Sequence, residues 1–261
     1  MAFTVHAVMP GVWHIVDCMG VCMTLLEGEN AAMLVDTGYG IEDVADFMRH
    51  MTDLPLTVFL THNHHDHAMG ARCFPETYML EADMADWCMF TNDEMRRRVL
   101  TQAIGKNLPV DEKTFLEGEI PLPKVMKPGV IDLGGLTAEI IEAPGHTPGS
   151  AVVYVPERKL LLSGDDWNPC TWLFFPQALG LREYRSNMRG IQQLPFEKVL
   201  CPHRDALYDR WMFDDFFNAL TDGNLRAAEP VNIAPYEQID TCQATLPHDQ
   251  VLVFDWAKSG L

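Results

Sequence analysis

Thr61-His62-Asn63-His64-His65-Asp66-His67 follows directly on Leu56-Thr57-Val58-Phe59-Leu60, a short β-branched and apolar run. The run reads as a buried strand, so the histidines begin where a strand ends. Four of the ten histidines fall within residues 62–67. Residues two apart at a strand end can project toward one centre. Asp66 and His67 then open an expected helix and can turn toward a second centre. Neutral imidazole with carboxylate is the usual donor set for zinc, and it also suits iron or manganese. A surface loop with accidental histidines is the weaker reading, because burying four imidazoles without a ligand would strand several polar groups.

Working outward, three later stretches each bring a ligand-type residue to a strand end or turn, where such scaffolds carry function. Ala143-Pro144-Gly145-His146-Thr147-Pro148-Gly149-Ser150 sets His146 in a rigid Gly/Pro turn between two strands. Leu160-Leu161-Leu162-Ser163-Gly164-Asp165-Asp166 ends an apolar strand in a carboxylate pair, and Val199-Leu200-Cys201-Pro202-His203 ends another in a histidine. Each is weak alone, and together with the six-residue cluster they make a complete ligand set. Upstream, Val12–Val16, Met23–Glu27 and Ala31–Val35 read as strands, the last running into Asp36-Thr37-Gly38-Tyr39-Gly40. Ile41–Met51 has helical periodicity. Ala82 to about Lys106 has helical composition, and 108–128 is rich in proline and acid, so 82–128 reads as an insertion. Strands are expected at Val130–Leu133, Leu136–Glu142, Ser150–Val155, Lys159–Ser163 and Lys198–Leu200, and helices at Arg182–Leu194 and Tyr208–Leu220. After residue 220 only Val251–Phe254 stands out, as a short apolar run. Grouped strands with helices after each group predict a layered α/β or α+β chain, one domain spanning 1–261.

Composition bounds the function. Nineteen basic against 37 acidic residues give a net charge of −18, which disfavours nucleic acid as a partner. Arg96-Arg97-Arg98 reads as a solvated helix face rather than a basic patch. No apolar run approaches the roughly 20 residues of a membrane span, and Met1–Gly20 lacks the pattern of a secretory leader, so a cytoplasmic protein is expected. Seven scattered cysteines suit reduced, mostly buried thiols.

With these residues in view, the sequence resembles the metallo-β-lactamase-fold superfamily. The signature is the His-x-His-x-Asp-His string followed by a later His, Asp and His, in order from about Val12 to His203. The resemblance implies a four-layer αββα sandwich with two divalent metal ions at the edge of its sheets, zinc first, with iron or manganese as alternatives. It assigns His62, His64 and His146 to one metal and Asp66, His67 and His203 to the other, with Asp165 between them. Asp36 resembles the buried aspartate that orients the ligand loop from behind.

A hydroxide generated between two dications would attack an ester, thioester or lactone carbonyl of a small to medium substrate, with Asp66 handling the proton. Trp172 and Phe175 are the tentative substrate-binding residues, and Trp87–Phe90 is a second aromatic stretch. His65, off the pattern, is expected to face solvent. The alternatives are a phosphodiesterase or an iron-dependent redox enzyme of the same fold. A small molecule is the expected partner, and the Met- and Trp-rich insertion is a candidate surface for a homodimer.

Overall fold

The structure is a computed structural model describing residues 3–117 and 119–261. Met1 and Ala2, part of the stretch read for a leader, and Gly118 of the insertion lie outside the described residues. A first sheet of seven strands runs in chain order: β1 Thr4–Met9, β2 Val12–Val16, β3 Cys22–Glu27, β4 Ala32–Val35, β5 Leu56–Phe59, β6 Tyr78–Met79 and β7 Lys124–Val125. A second holds β8 Gly129–Asp132, β9 Thr137–Glu142, β10 Ala151–Val155, β11 Leu160–Leu162, β13 Lys198–Leu200 and β14 Leu207–Asp209, in the order β14-β13-β11-β10-β9-β8. The sequence reading missed a third sheet, in which β12 Cys170–Leu173 pairs in parallel with β17 Gln250–Asp255, followed by β16 Thr241–Leu246 and β15 Glu229–Pro230.

Strand alternation builds the layers. In β4, Met33 and Val35 pack into the core between the first two sheets, whereas Ala32 and Leu34 point the other way. There they meet Val44, Ala45 and Met48 of α1 Val44–Met51, whose N-terminus Asp43 caps by accepting from Asp46 N–H. In β10, Ala151, Val153 and Val155 face the first sheet, and Val152 and Tyr154 face the opposite layer. That layer contains Tyr184 and Met188 of α6 Leu181–Ile191, Phe213 and Phe216 of α7 Arg210–Ala219, and the inner side of the third sheet. The result is helix, sheet, sheet, helix, as the αββα expectation requires.

Two of the parallel pairs matter for function. β4 runs parallel to β5, and β11 runs parallel to β13. Each of these strands delivers a ligand-type or positioning residue just past its carboxyl end, the side where open α/β sheets commonly bind ligands. The segment after β6 forms a 3-10 turn, then α3 Trp87–Thr91, α4 Asp93–Gly105 and α5 Glu112–Leu116, before β7 joins the first sheet. It buries Trp87, Val99, Leu100, Ala103 and Phe115 against Leu60 and Met79, so it is a packed part of the fold.

Candidate metal centre

His62 and His64 lie in the loop beyond β5, and Asp66 and His67 on the single turn α2 His65–Ala68. The turn is fixed by close approach: Thr37 N–H and Oγ1 both donate to the His67 carbonyl, at 2.8 and 2.7 Å. A side chain at Gly70 would place a Cβ 2.1 Å from the Thr37 carbonyl oxygen. His146 comes from the β9–β10 turn, Asp165 from a 3-10 turn after β11, and His203 from the loop after β13.

Seven ligand-type side chains converge. Atoms of His62, His64, His146 and Asp165 lie within 4.8 Å of one another, as do those of Asp66, His67 and His203. Asp165 Oδ2 sits between the groups, 3.4 Å from His146 Nε2, 3.5 Å from His67 Nε2 and 3.0 Å from His203 Nε2. By proximity Asp165 groups with His62, His64 and His146 and also reaches His67 and His203.

Each of four imidazoles has an outer partner that fixes which nitrogen faces inward. His146 Nδ1 donates to the Trp172 carbonyl at 2.6 Å, and His67 Nδ1 to Asp36 Oδ2 at 2.9 Å. Thr61 Oγ1 accepts from His62 Nδ1 at 3.1 Å and itself donates to Asp36. The Gln177 amide lies 2.6 Å from His64 Nε2; with its oxygen turned to the ring it accepts that N–H and leaves His64 Nδ1 with its lone pair. His64 Nδ1 then faces His146 Nε2 at 2.8 Å, two lone pairs that a shared cation would reconcile. His62 Nε2, His67 Nε2 and Asp165 Oδ1 are buried without a hydrogen-bond partner. Such orphans cost about 1–3 kcal/mol each unless a ligand satisfies them, so the donor set fits divalent metal.

Protonation separates the groups. Burial, reinforced by neighbouring imidazoles, pushes His62 and His64 well below the usual histidine range, and burial lowers His146 too. Burial also opposes charge on His67 and His203, but Asp165 and the other carboxylates outweigh it and raise both. Burial would raise Asp66, yet His67, His65 and His203 bring it down to about 2, leaving it an ionised acceptor.

Asp36 adopts φ 65°, a left-handed conformation that aspartate tolerates better than most residues. Its carboxylate accepts from Thr61 N–H at 2.7 Å as well as from His67, tying the ligand loop to α2. Two aspartates outside the predicted ligand set play comparable parts. Asp166 accepts from His146 N–H at 2.9 Å. Asp83 accepts from Thr147 Oγ1 at 2.7 Å, Gly149 N–H at 2.6 Å and Asn63 N–H at 3.2 Å, joining the loops of His64 and His146. No sequence signal marked Asp83 or Gln177, because their partners are distant in the chain.

The centre floors a cavity of about 740 Å³. Trp172 and Phe175 both line it, with Phe90 and Tyr236, and Phe175 packs 4.7 Å from the His64 ring. Trp87 does not; it is a core residue. His65 also lines the cavity, half-buried with Nδ1 shielded, because α2 turns it inward rather than to solvent. Of the arginine trio, Arg97 and Arg98 are exposed as a solvated face requires, but Arg96 is buried with its guanidinium on the carbonyls of Phe115 and Glu117, and Arg98 also lines the cavity. The histidines outside the site are partnered, His6 by Asp205, His14 by Thr24 and Arg204, His50 by Asp46 and His248 by Asp215. All seven cysteines are free, but only Cys22, Cys201 and Cys242 are buried.

Comparison with known proteins agrees with this arrangement. The family model of the Metallo-beta-lactamase superfamily matches residues 16–203, and the chain belongs to that superfamily. The acyl-coenzyme A thioesterase MBLAC2 of Gallus gallus is 26% identical over 166 residues, 57% of this chain and 59% of that protein. The hydroxyacylglutathione hydrolase GloC of Haemophilus influenzae is 30% identical over 149 residues, 55% of this chain and 65% of that protein. Both matches thus span less than two thirds of the relative's length. A metallo-beta-lactamase from Pontibacter korlensis shares the fold, with TM-score 0.59 and 17% identity over 83% of this chain and 97% of that one. No helix among the described residues is long and apolar enough to cross a membrane.

Proposed function

We propose that the chain is a dinuclear metal-dependent hydrolase that cleaves an ester, thioester or lactone bond in a small to medium substrate. The observation that carries this reading is the convergence of seven ligand-type side chains at the floor of an aromatic-walled cavity. His62, His64 and His146 would hold one metal, Asp66, His67 and His203 the other, and Asp165 would lie between them. Bound divalent metal supplies an activated water nucleophile near neutral pH. Asp66, on the cavity wall with His65 Nδ1 3.9 Å from its Oδ1, would take up that water's proton. Phe90, Trp172 and Phe175 would pack the substrate's apolar part and exclude bulk water.

Zinc is the proposed metal, with iron or manganese as alternatives the donor set also accepts. A curated relative named as a thioesterase and another named as a hydroxyacylglutathione hydrolase support a carbonyl substrate over a phosphodiester. Free thiols throughout favour a reducing compartment such as the cytoplasm.

The test is metal content by plasma mass spectrometry, followed by turnover on matched ester, thioester, lactone and bis-p-nitrophenyl phosphate substrates. About two ions per chain and a carbonyl preference are expected. Faster phosphodiester cleavage would transfer the reading to the alternative hydrolase. Absence of metal even after reconstitution would sink it, and a coloured, redox-active iron protein would point to oxidation chemistry.

A further inference from the structure

We propose that the cavity selects a carboxylate-bearing substrate through Arg98. The choice of an ester or thioester as the bond cleaved rests on the hydrolase reading above; the binding of the anion does not. α4 buries Val99, Leu100 and Ala103 in the core cluster beneath it. Its Met95, Arg98 and Gln102, spaced three and four apart, share the face turned to the cavity. The three consecutive arginines therefore have three fates. Arg96 is used up in the fold, Arg97 stands outside the cavity lining, and Arg98 is on the cavity wall.

Among the described residues no carboxylate lies within ion-pair distance of Arg98. The other cation on the wall, Arg204, donates to the His203 carbonyl at 3.2 Å and has no ion pair among the described residues. The lining's two carboxylates, Asp66 and Asp165, both belong to the candidate metal centre, where bound cations would offset them. Two arginines on the wall thus match two carboxylates at its floor, and bound metal would make the cavity locally cationic in a chain of net charge −18. At physiological ionic strength the surface charge is screened beyond about 8 Å, so the nearby guanidinium decides what binds. Its planar fork pairs with a carboxylate in two parallel hydrogen bonds, which a neutral amide does not reproduce. Trp172, Phe175 and Tyr236 give the same cavity an apolar lining. The occupant is therefore a molecule with an apolar or aromatic acyl part and a carboxylate set back from the scissile carbonyl.

The metal-loaded protein is assayed with S-benzoyl thioglycolate and its neutral thioglycolamide counterpart, as wild type, Arg98→Gln and Arg97→Gln. The wild type is expected to favour the carboxylate by about 10-fold or more in kcat/KM, the range of a charge-assisted pair. Arg98→Gln should bring the ratio close to one while Arg97→Gln retains it. In parallel, binding of 1-naphthoate and 1-naphthamide is followed by tryptophan fluorescence. Naphthoate should weaken about 10-fold in Arg98→Gln and naphthamide should not change. A wild-type ratio near one, or naphthoate binding indifferent to Arg98 as direct ligation to metal would give, overturns the proposal. Arg98-dependent naphthoate binding without turnover of either thioester or of the matched ester and lactone panel would sustain it and discard the hydrolase reading. Turnover with no Arg98-dependent preference would do the reverse.

Discussion

The two halves of the centre are built from similar residues but solve opposite problems. His62, His64 and His146 are buried, and burial keeps them neutral with lone pairs inward. Each leans on an uncharged outer partner: Thr61, the Gln177 amide and the Trp172 carbonyl. On the other side His67 is gripped by charged Asp36, while Asp66 and His203 remain partly open to the cavity, 15% and 30% exposed. The first half resembles a preformed neutral cage, whereas the second is a charged rim that must give up protons to take a cation. Neighbouring carboxylates therefore set the difference more than burial does, since His67 is as buried as His62.

Removing the group between the halves tests this most severely. In Asp165→Ala the second metal should be lost and turnover should fall by more than the roughly 100-fold typical of residues acting behind ligands. About one metal should remain in the histidine cage, read by mass spectrometry; loss of both ions would mean the cage is not independent. A step smaller are the outer partners. Asp36→Asn should weaken the second metal about 10–100-fold, and Gln177→Ala should weaken the first toward the lower end of that range. Competition with a chelator separates the two affinities, and the same loss in both variants would erase the distinction.

Acidity should sharpen the comparison further. Raised His67 and His203 hold protons above the usual histidine range, and a metal must displace them. His62, His64 and His146 are lowered and have none to displace near neutrality. Lowering the pH from about 8 to 6, across the ordinary histidine value, should therefore release the second metal first. Simultaneous release would contradict it.

The smallest effect is expected from the rim of the cavity. Lys258 Nζ donates to the carbonyls of Phe175, Pro176 and Ala178, at 3.3, 2.6 and 3.0 Å, bracing the loop that carries Phe175 and Gln177. Lys258→Met should cost about 1–2 kcal/mol in stability. It should raise KM severalfold with metal content unchanged; a kinetically silent variant would show that the loop holds without the brace.

Much of this was legible in the chain. Val12–Val16 and Lys198–Leu200 were read at the observed bounds, and other predicted strands agreed to within a residue or two, because strands buried on both faces read as short continuous apolar runs bounded by turns. The third sheet was not legible. β12 and β17 pair in parallel across some eighty residues, and Val251–Phe254 alone gives no hint of a partner. The place of exposed Arg98 in the cavity lining was likewise not legible, since helical spacing shows which residues share a face but not what that face borders.

What the sequence determined by itself was the ligand inventory and its order along the chain. Ligand chemistry restricts the residue types, and strand-to-loop boundaries restrict where they stand. Tertiary structure alone decided the rest. It set which nitrogen of each imidazole faces inward, which histidines are neutral, how a C-terminal strand and lysine brace the cavity wall, and that one arginine of three lines the cavity. Those outcomes depend on burial and on partners remote in the chain, which come together only when the two sheets close.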